Sequence, residues 1–391
     1  MKNRIYGLDI LRACAIFTVL IGHSVQFTPE PFINFIAKYN IDGVTLFFVL
    51  SGFLIGQIIL KIITNSQFSF RELLNFWGRR WLRTLPAFYL VAISLLIFHS
   101  ITNNLPATET IIRCLTFTQN LFRVKSTFYF ESWSLAVEEW FYLLIPFALY
   151  GFFKLFSNIS KKKIFLFATI SLIIVVTISR VIKTHQINYH DLQTWDLATR
   201  KPVFLRIDSI MFGMFGAYMY YYKLKIWEWK NFWFVVGMLI FLLIEFQKIP
   251  YRYYLVLTAE SIGTLCLLPK LNTIKTGKGI VFKVVTFISI ISYSLYLLNG
   301  QPFYEVIYPA ITGNIIIPLS DFIYPPLRTY LHIHSDSQIG NIVGFICFYG
   351  WVFVSSFLLF KLVEKPFMNL RDKKINQDSE LKKMSPILPP E

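Results

Sequence analysis

The chain has 391 residues, 55% of them hydrophobic and 15% charged, with a mean hydropathy of +0.53 and a net charge of +16. So apolar a balance excludes an ordinary soluble enzyme and reads as a membrane protein crossing the bilayer many times. The positive charge is read as a topology signal, so no nucleic-acid partner is expected.

In chain order, ten segments approach the ~20 residues that a bilayer core requires. They are 7–26, 43–60, 84–101, 133–153, 164–182, 203–222, 231–247, 253–269, 284–302 and 339–360. The expected fold is all-α, a polytopic membrane helix bundle of about ten transmembrane helices. The start resembles a signal peptide, with Lys2 and Arg4 ahead of an apolar run. Asp9 and Arg12 interrupt that run and no small-residue cleavage site follows, so it is expected to remain as the first span. Residues 68–83 alternate apolar and basic side chains, which predicts an amphipathic helix on the inner surface. The stretch 110–122 is ambiguous. The stretch 303–338 includes the apolar piece Ile315 to Leu319 but is broken by Pro309, Pro318, Pro325 and Pro326. It is read as a long loop with room for a re-entrant part. Residues 1–368 form the expected membrane domain, and 369–391 a polar, disordered tail.

Alternating inward and outward segments fix the orientation. More than twice as many Lys and Arg fall in the inward segments as in the outward loops if the N-terminus is cytoplasmic. That asymmetry predicts both termini in the cytoplasm. Trp77, Trp81, Trp133, Trp227, Trp229 and Trp233 sit near predicted borders, as an aromatic belt would. Cys14, Cys114, Cys266 and Cys347 are scattered with no CxxC pair, and read as packing thiols.

Charges inside the spans point to chemistry. Arg12 and His23 lie 11 residues apart, so on a helix they share one face, roughly 16 Å apart along the axis. Leaving either facing lipid is costly, which marks them as functional by default. An imidazole titrating near neutrality suits a general base, and Glu138 or Glu139 is placed to orient it. The plain alternative for His23 is a neutral ring bonded to a neighbouring helix. Given the orientation, His23, Glu138, Glu139, Arg206, Asp208, Tyr293, Tyr296 and Asn299 are expected in the outer half. Arg12, Arg80 and Arg83 are expected in the inner half. Arg80 and Arg83 are either topology charges or a phosphate clamp, for which guanidinium geometry is suited. Arg206 and Asp208 are read as neutralising each other, and Glu364 with Lys365 as a helix-ending ion pair. Glu245 and Glu260 have no evident partner. His332 and His334 form an HxH without a third ligand, so no metal site is expected. No P-loop, HExxH or dinucleotide fingerprint occurs.

The ordered motifs carry a resemblance. They are Gly7-Leu8-Asp9-Ile10-Leu11-Arg12 with His23 (Arg-x10-His), and Gly43 to Leu54 (GVTLFFVLSGFL). They continue with Arg80-x-x-Arg83, Trp133-Ser134-Leu135-Ala136-Val137-Glu138-Glu139 with Phe141-Tyr142, and Arg206-Ile207-Asp208 with Gly213. Ser292-Tyr293-Ser294-Leu295-Tyr296-Leu297 and Glu364-Lys365-Pro366 complete the set. The chain resembles the acyltransferase-3 family, bacterial integral-membrane carbohydrate O-acyltransferases, over nearly the whole membrane region. One departure is Asn299, where family members often carry His.

The resemblance implies an enzyme of the bacterial inner (cytoplasmic) membrane. It would move an acyl group, most simply acetyl, from cytoplasmic acyl-CoA to a hydroxyl of a carbohydrate or glycolipid acceptor, such as a surface polysaccharide or lipopolysaccharide. Acetyl-CoA is then a co-substrate, with no tightly bound cofactor. The expected catalytic residues are His23, Glu138 and Glu139, with Arg12, Arg80 and Arg83 on the donor. An acceptor and structural cluster comprises Asp9, Trp133, Ser134, Tyr142, Arg206, Asp208, Tyr293 and Asn299. His23 either takes the acceptor's proton or carries the acyl group itself; both stay open, as does the oligomeric state. The competing reading is a transporter or flippase for a lipid-linked sugar or small solute. Against it, no inverted repeat and no matched pair of broken helices is visible.

Overall fold

The computed structural model describes all residues except 1–3, 28–40, 66–67, 126, 188–191, 247–251, 312–335 and 372–391. Ten principal helices coincide with the ten predicted segments. They are α1 (Tyr6–His23), α2 (Gly43–Asn65), α3 (Phe70–Ile101), α4 (Ser132–Leu155) and α5 (Lys161–Gln186). After them come α6 (Ile207–Tyr221), α7 (Lys230–Phe246), α8 (Arg252–Leu271), α9 (Gly279–Leu298) and α10 (Asp336–Leu359). Eight are long and apolar enough to cross a membrane, while α6 and α7 fall short at 15 and 17 residues. No strand occurs among the described residues.

The helix α3 departs from expectation. Residues 68–83 are not a separate surface helix but the first half of one 32-residue helix. Ser69 caps it, accepting from the Glu72 amide while Glu72 reaches back to the Ser69 amide. The helix runs unbroken through both Gly78 and Pro86. The consequence is functional, because Arg80 and Arg83 are carried into the bundle rather than along its surface.

The bundle is organised around α6. An all-round apolar helix must be enclosed by its neighbours, and every residue from Ile207 to Met214 is buried. α6 packs on α2, α5 and α8, while α1 packs on α2 and α9, α7 on α8, and α10 on α9. The outward faces carry exposed Phe167, Ile174, Val175 and Ile178 on α5 and Val235, Leu239 and Leu242 on α7. In water such a belt would be a liability, and against acyl chains it is the expected surface.

Two further segments differ from the sequence reading. Part of 110–122 is a short helix, Thr108–Leu115. The start of 303–338 is a wide helical turn, Pro302–Ile307, running into Tyr308–Ile311. The rest of that stretch, with Ile315 to Leu319, His332 and His334, lies outside the described residues, as do the Glu245 side chain and the tail from residue 372.

The α2–α6 contact depends on glycine. A Cβ on Gly52 would fall 1.8 Å from the Ile210 carbonyl oxygen, and one on Gly213 would fall 2.0 Å from that of Val49. Backbones approach this closely in membranes only at small residues. Gly213→Val is expected to abolish recovery of folded, monodisperse protein. Overpacking ordinarily costs about 1–3 kcal/mol, and here the opposing atoms are backbone. Gly151→Ala, which would meet no atom within 4 Å, serves as the control and should leave elution in detergent unchanged.

Candidate functional site

Five helices enclose a cavity of about 100 Å³. Arg12 enters it from α1, Ser51 from α2, Arg80 and Arg83 from α3, Ser134 and Glu138 from α4, and Tyr293 and Tyr296 from α9. The arginines expected near the inner border and the acid expected near the outer one therefore share a single space. The 32-residue α3 explains this, because it brings Arg80 and Arg83 alongside the middle of α4.

Each charge is held. Asp9, one turn before Arg12 on α1, accepts from Arg4 Nε at 3.0 Å and from Ser289 Oγ at 2.8 Å. Arg12 Nη1 lies 3.7 Å from the same carboxylate and 3.4 Å from Ser289 Oγ. Asp9 thus anchors the arginine rather than meeting a ligand. Arg80 donates to Tyr142 Oη at 2.6 Å and lies over that ring at 4.3 Å. Tyr142 donates to Glu138 Oε2 at 2.8 Å, and Ser51 donates to Glu138 Oε1 at 2.8 Å. The spacing of Glu138 and Tyr142 by one helical turn makes that pair possible. Glu139, about 100° further round the helix, faces α3 and accepts from Thr84 Oγ1 at 3.0 Å. Tyr293 Oη donates to the Thr84 carbonyl at 2.8 Å.

Neither glutamate meets His23. No hydrogen bond or ion pair joins them among the described residues, since Glu138 is engaged by Ser51 and Tyr142 and Glu139 by Thr84. The expected dyad is not formed. His23 ends α1, with its carbonyl accepting from Tyr304 Oη and its Nδ1 buried without a hydrogen bond. Asn299 is its polar neighbour, with Arg200 and Lys201 the nearby cations. Glu131, just ahead of α4, which the sequence reading missed, lies against Gly300 and Gln301, the residues that follow Asn299. Burial pushes its carboxyl up to about 7, against the backbone hydrogen bonds it accepts.

The polar groups around α6 also pair differently from expectation. Asp208 does not neutralise Arg206. It takes a bidentate bond from Arg180 of α5, at 2.8 and 2.6 Å, with both side chains fully buried. Arg180 also donates to the Leu205 carbonyl at 2.7 Å, serving the irregular chain before α6. Arg206 instead bonds Asp42 at 2.7 Å, and Arg200 bonds the other oxygen of Asp42 at 2.9 Å. Burial would raise the Asp42 carboxyl, but these two guanidinium groups outweigh it and hold it below the usual range. Glu260 does have partners, accepting from the Asp42 amide at 3.0 Å and from Thr45 Oγ1 at 3.2 Å. Glu364 is buried against Ser294 rather than paired with exposed Lys365. A signal for Arg180 was present, since an arginine inside a predicted span demands a carboxylate. Asp42, one residue ahead of the second span, was the unassigned acid nearest a helix end.

Trp133 is buried, edge-on to Phe48 and with Arg200 over its ring at 4.9 Å. Ser134 Oγ and Tyr296 Oη lie 2.5 Å apart at the upper wall of the cavity. Among the described residues, no three His, Cys, Asp or Glu side chains are arranged to hold a metal ion.

Fold and site together define a multi-pass helical membrane protein with a cation-lined polar cavity inside the bundle. The chain belongs to the acyltransferase-3 family, whose profile, described as an acyltransferase domain, matches residues 5–361. It is 35% identical over 173 residues to a peptidoglycan O-acetyltransferase of Listeria monocytogenes, covering 40% of this chain and 26% of that protein. A putative peptidoglycan O-acetyltransferase of Bacillus subtilis is 34% identical over 186 residues, covering 43% of this chain and 26% of its own length. A putative O-acetyltransferase of Staphylococcus aureus is 32% identical over 157 residues, covering 36% and 24%. The matched region spans about a quarter of the length of these relatives. No solved structure matches the chain.

Removing one partner of a buried ion pair leaves an uncompensated charge, at a cost of about 3–5 kcal/mol. Asp208→Ala is therefore expected to lower the melting temperature in detergent sharply. Arg180→Met combined with Asp208→Leu should restore most of the loss. A double variant no more stable than Asp208→Ala would show that the pair is not the source of the effect.

Proposed function

We propose that this protein is a membrane-bound O-acyltransferase. It takes an acyl group, most simply acetyl, from acyl-CoA on the cytoplasmic side and transfers it to a hydroxyl of a carbohydrate. The acceptor class is a surface polysaccharide or its lipid-linked precursor, and the site of action is the bacterial cytoplasmic membrane. The observation that carries the reading is the convergence of Arg12, Arg80 and Arg83 on one cavity lined by a single carboxylate, Glu138. Guanidinium groups confined in a low-dielectric space suit the phosphates of a coenzyme A thioester. The activities named for the relatives, O-acetyl transfer and in some cases transfer to peptidoglycan, point the same way.

In this scheme Arg80 and Arg83 hold the donor's phosphates, and Arg12 guides the pantetheine arm along α1. Tyr142, Ser51 and Glu138 fix Arg80 rather than acting on the thioester. The acceptor oxygen attacks the thioester carbonyl, the C–S bond breaks, and the acceptor proton passes to His23. The coenzyme leaves as thiolate and recovers a proton. General-base help of this kind contributes roughly 10² to 10⁴ in rate.

Membranes given labelled acetyl-CoA should place label covalently on glycan, and label carried across without a new covalent bond would favour a transporter. His23→Ala should reduce transfer by roughly 10²-fold or more at unchanged expression, and retained transfer would remove His23 from the reaction. Arg80→Ala with Arg83→Ala should chiefly raise the KM for acetyl-CoA, and an unchanged donor KM would remove the clamp.

A further inference from the structure

Resting on that acyl-transfer reading, we propose that Glu131, Asn299 and His23 together form the subsite that receives the acceptor's hydroxyl group, with Glu131 and Asn299 as its hydrogen-bonding walls. Around one turn of chain lie three buried polar atoms without a well-formed hydrogen bond: His23 Nδ1 and Asn299 Oδ1, which are neighbours, and Glu131 Oε2 beside Gly300. The turn is built firmly. Gln301 donates its amide to Glu131 Oε1 at 2.9 Å, and Phe130 donates its amide to Gln301 Oε1 at 2.5 Å. Gly300 sits between them, where a Cβ would fall 1.5 Å from Glu131 Oε1. Asn299 uses its Nδ2 on the carbonyls of Leu295 and Tyr296, at 2.8 Å each, which turns Oδ1 away from the helix.

Buried polar atoms are nearly always bonded, and an orphan is costly. Three around one rigid turn therefore mark a place where something else donates hydrogen bonds. The Glu131 and Asn299 oxygens accept, and the imidazole nitrogen donates or accepts with its tautomer, so the complementary ligand carries O–H groups, as a sugar does. The neighbouring cations Arg200 and Lys201 are already engaged by Asp42 and Asp196, so the subsite offers acceptors rather than free positive charge. That separates it from the arginine cavity, which suits an anion. They are linked through one residue: Ser134 and Tyr296 line the cavity, and both hydroxyls lie within hydrogen-bond distance of the Glu131 backbone carbonyl, at 3.5 and 3.2 Å. Donor and acceptor would thus approach from opposite sides of the Ser134–Tyr296 pair, with His23 on the acceptor's side.

The test is Glu131→Gln in the full chain, purified in detergent. The glutamine keeps an oxygen for the Gln301 amide and replaces the orphaned acceptor with a donor. Acetyl-CoA is the donor, and oligosaccharides released from the host's surface glycan are the acceptor. The expected result is a fall of about 10- to 100-fold in kcat/KM for the acceptor, the size of one lost bond to a charged group. The KM for acetyl-CoA should be unchanged, and the melting temperature of the ligand-free protein should be equal or higher. Asn299→Leu, which removes Oδ1, should likewise lower kcat/KM for the acceptor while leaving the KM for acetyl-CoA unchanged. An unchanged acceptor kcat/KM in Glu131→Gln, or a lowered melting temperature with both substrates affected alike, overturns the subsite. Absence of acyl transfer by the wild-type protein instead overturns the acyl-transfer reading, and the subsite with it.

Discussion

A guanidinium inside a lipid-embedded bundle must have its donors satisfied and its charge compensated, and most of this architecture follows from that requirement. Arg180 and Arg206 are fully buried. Around them the chain places Asp208 on α6, Asp42 ahead of α2, and the hydroxyls of Thr45, Ser209 and Thr258. These bonds tie α5 to α6, α6 to the start of α2, and α5 to α8. Hydrophobic burial gives little preference for one helix neighbour over another in lipid. Arginine-centred bonds supply that preference, as does the close approach of Gly52 and Gly213.

The same requirement accounts for the central position of α6. With 15 residues it is too short to satisfy its own ends in the bilayer core, so the turns before it, Asp196–Arg200 and Val203–Leu205, need outside partners. Arg180 caps the Leu205 carbonyl, and Asn120 takes the Lys201 carbonyl at 2.7 Å while receiving the Val203 amide on its own carbonyl at 2.8 Å. Irregular backbone at this depth is tolerated only inside protein. The surrounding helices α2, α5 and α8 provide that enclosure, and the result is a rigid wall behind Trp133 and Phe48.

Helix existence could be read from the chain because apolar runs of bilayer length are a strong one-dimensional signal. All ten segments are helical, and the family motifs fell in order along them. Pairing could not be read, because it depends on which helix faces which. Arg206 and Asp208 are two residues apart and therefore point about 200° apart on a helix, so each pairs elsewhere. Depth along the helix does not say that Glu138 faces Ser51 and Glu139 faces Thr84. The surface helix expected at 68–83 failed for a related reason. Amphipathic spacing is the same whether the polar stripe meets water or a polar cavity. Glu131 went unremarked because it lies outside the apolar segments, where an acid is unexceptional until the fold buries it.

The degree of compensation separates two kinds of arginine in this bundle. Arg180 has a carboxylate to itself and no exposure, and Arg206 shares Asp42 with Arg200 in direct ion pairs. Arg12 by contrast shares Asp9 with Arg4 at a longer distance, and Arg80 reaches Glu138 only through Tyr142. Both line empty volume beside Arg83, and the only carboxylate among the cavity's lining residues is Glu138. A structural arginine has a carboxylate bonded to it directly, whereas Arg12 and Arg80 face a space with their charge compensated less directly. In a low-dielectric surrounding that charge is costly to maintain without an anion. The uneven neutralisation of the arginines therefore distinguishes this cavity from the cluster at Asp42 as the one with room and charge for an anion.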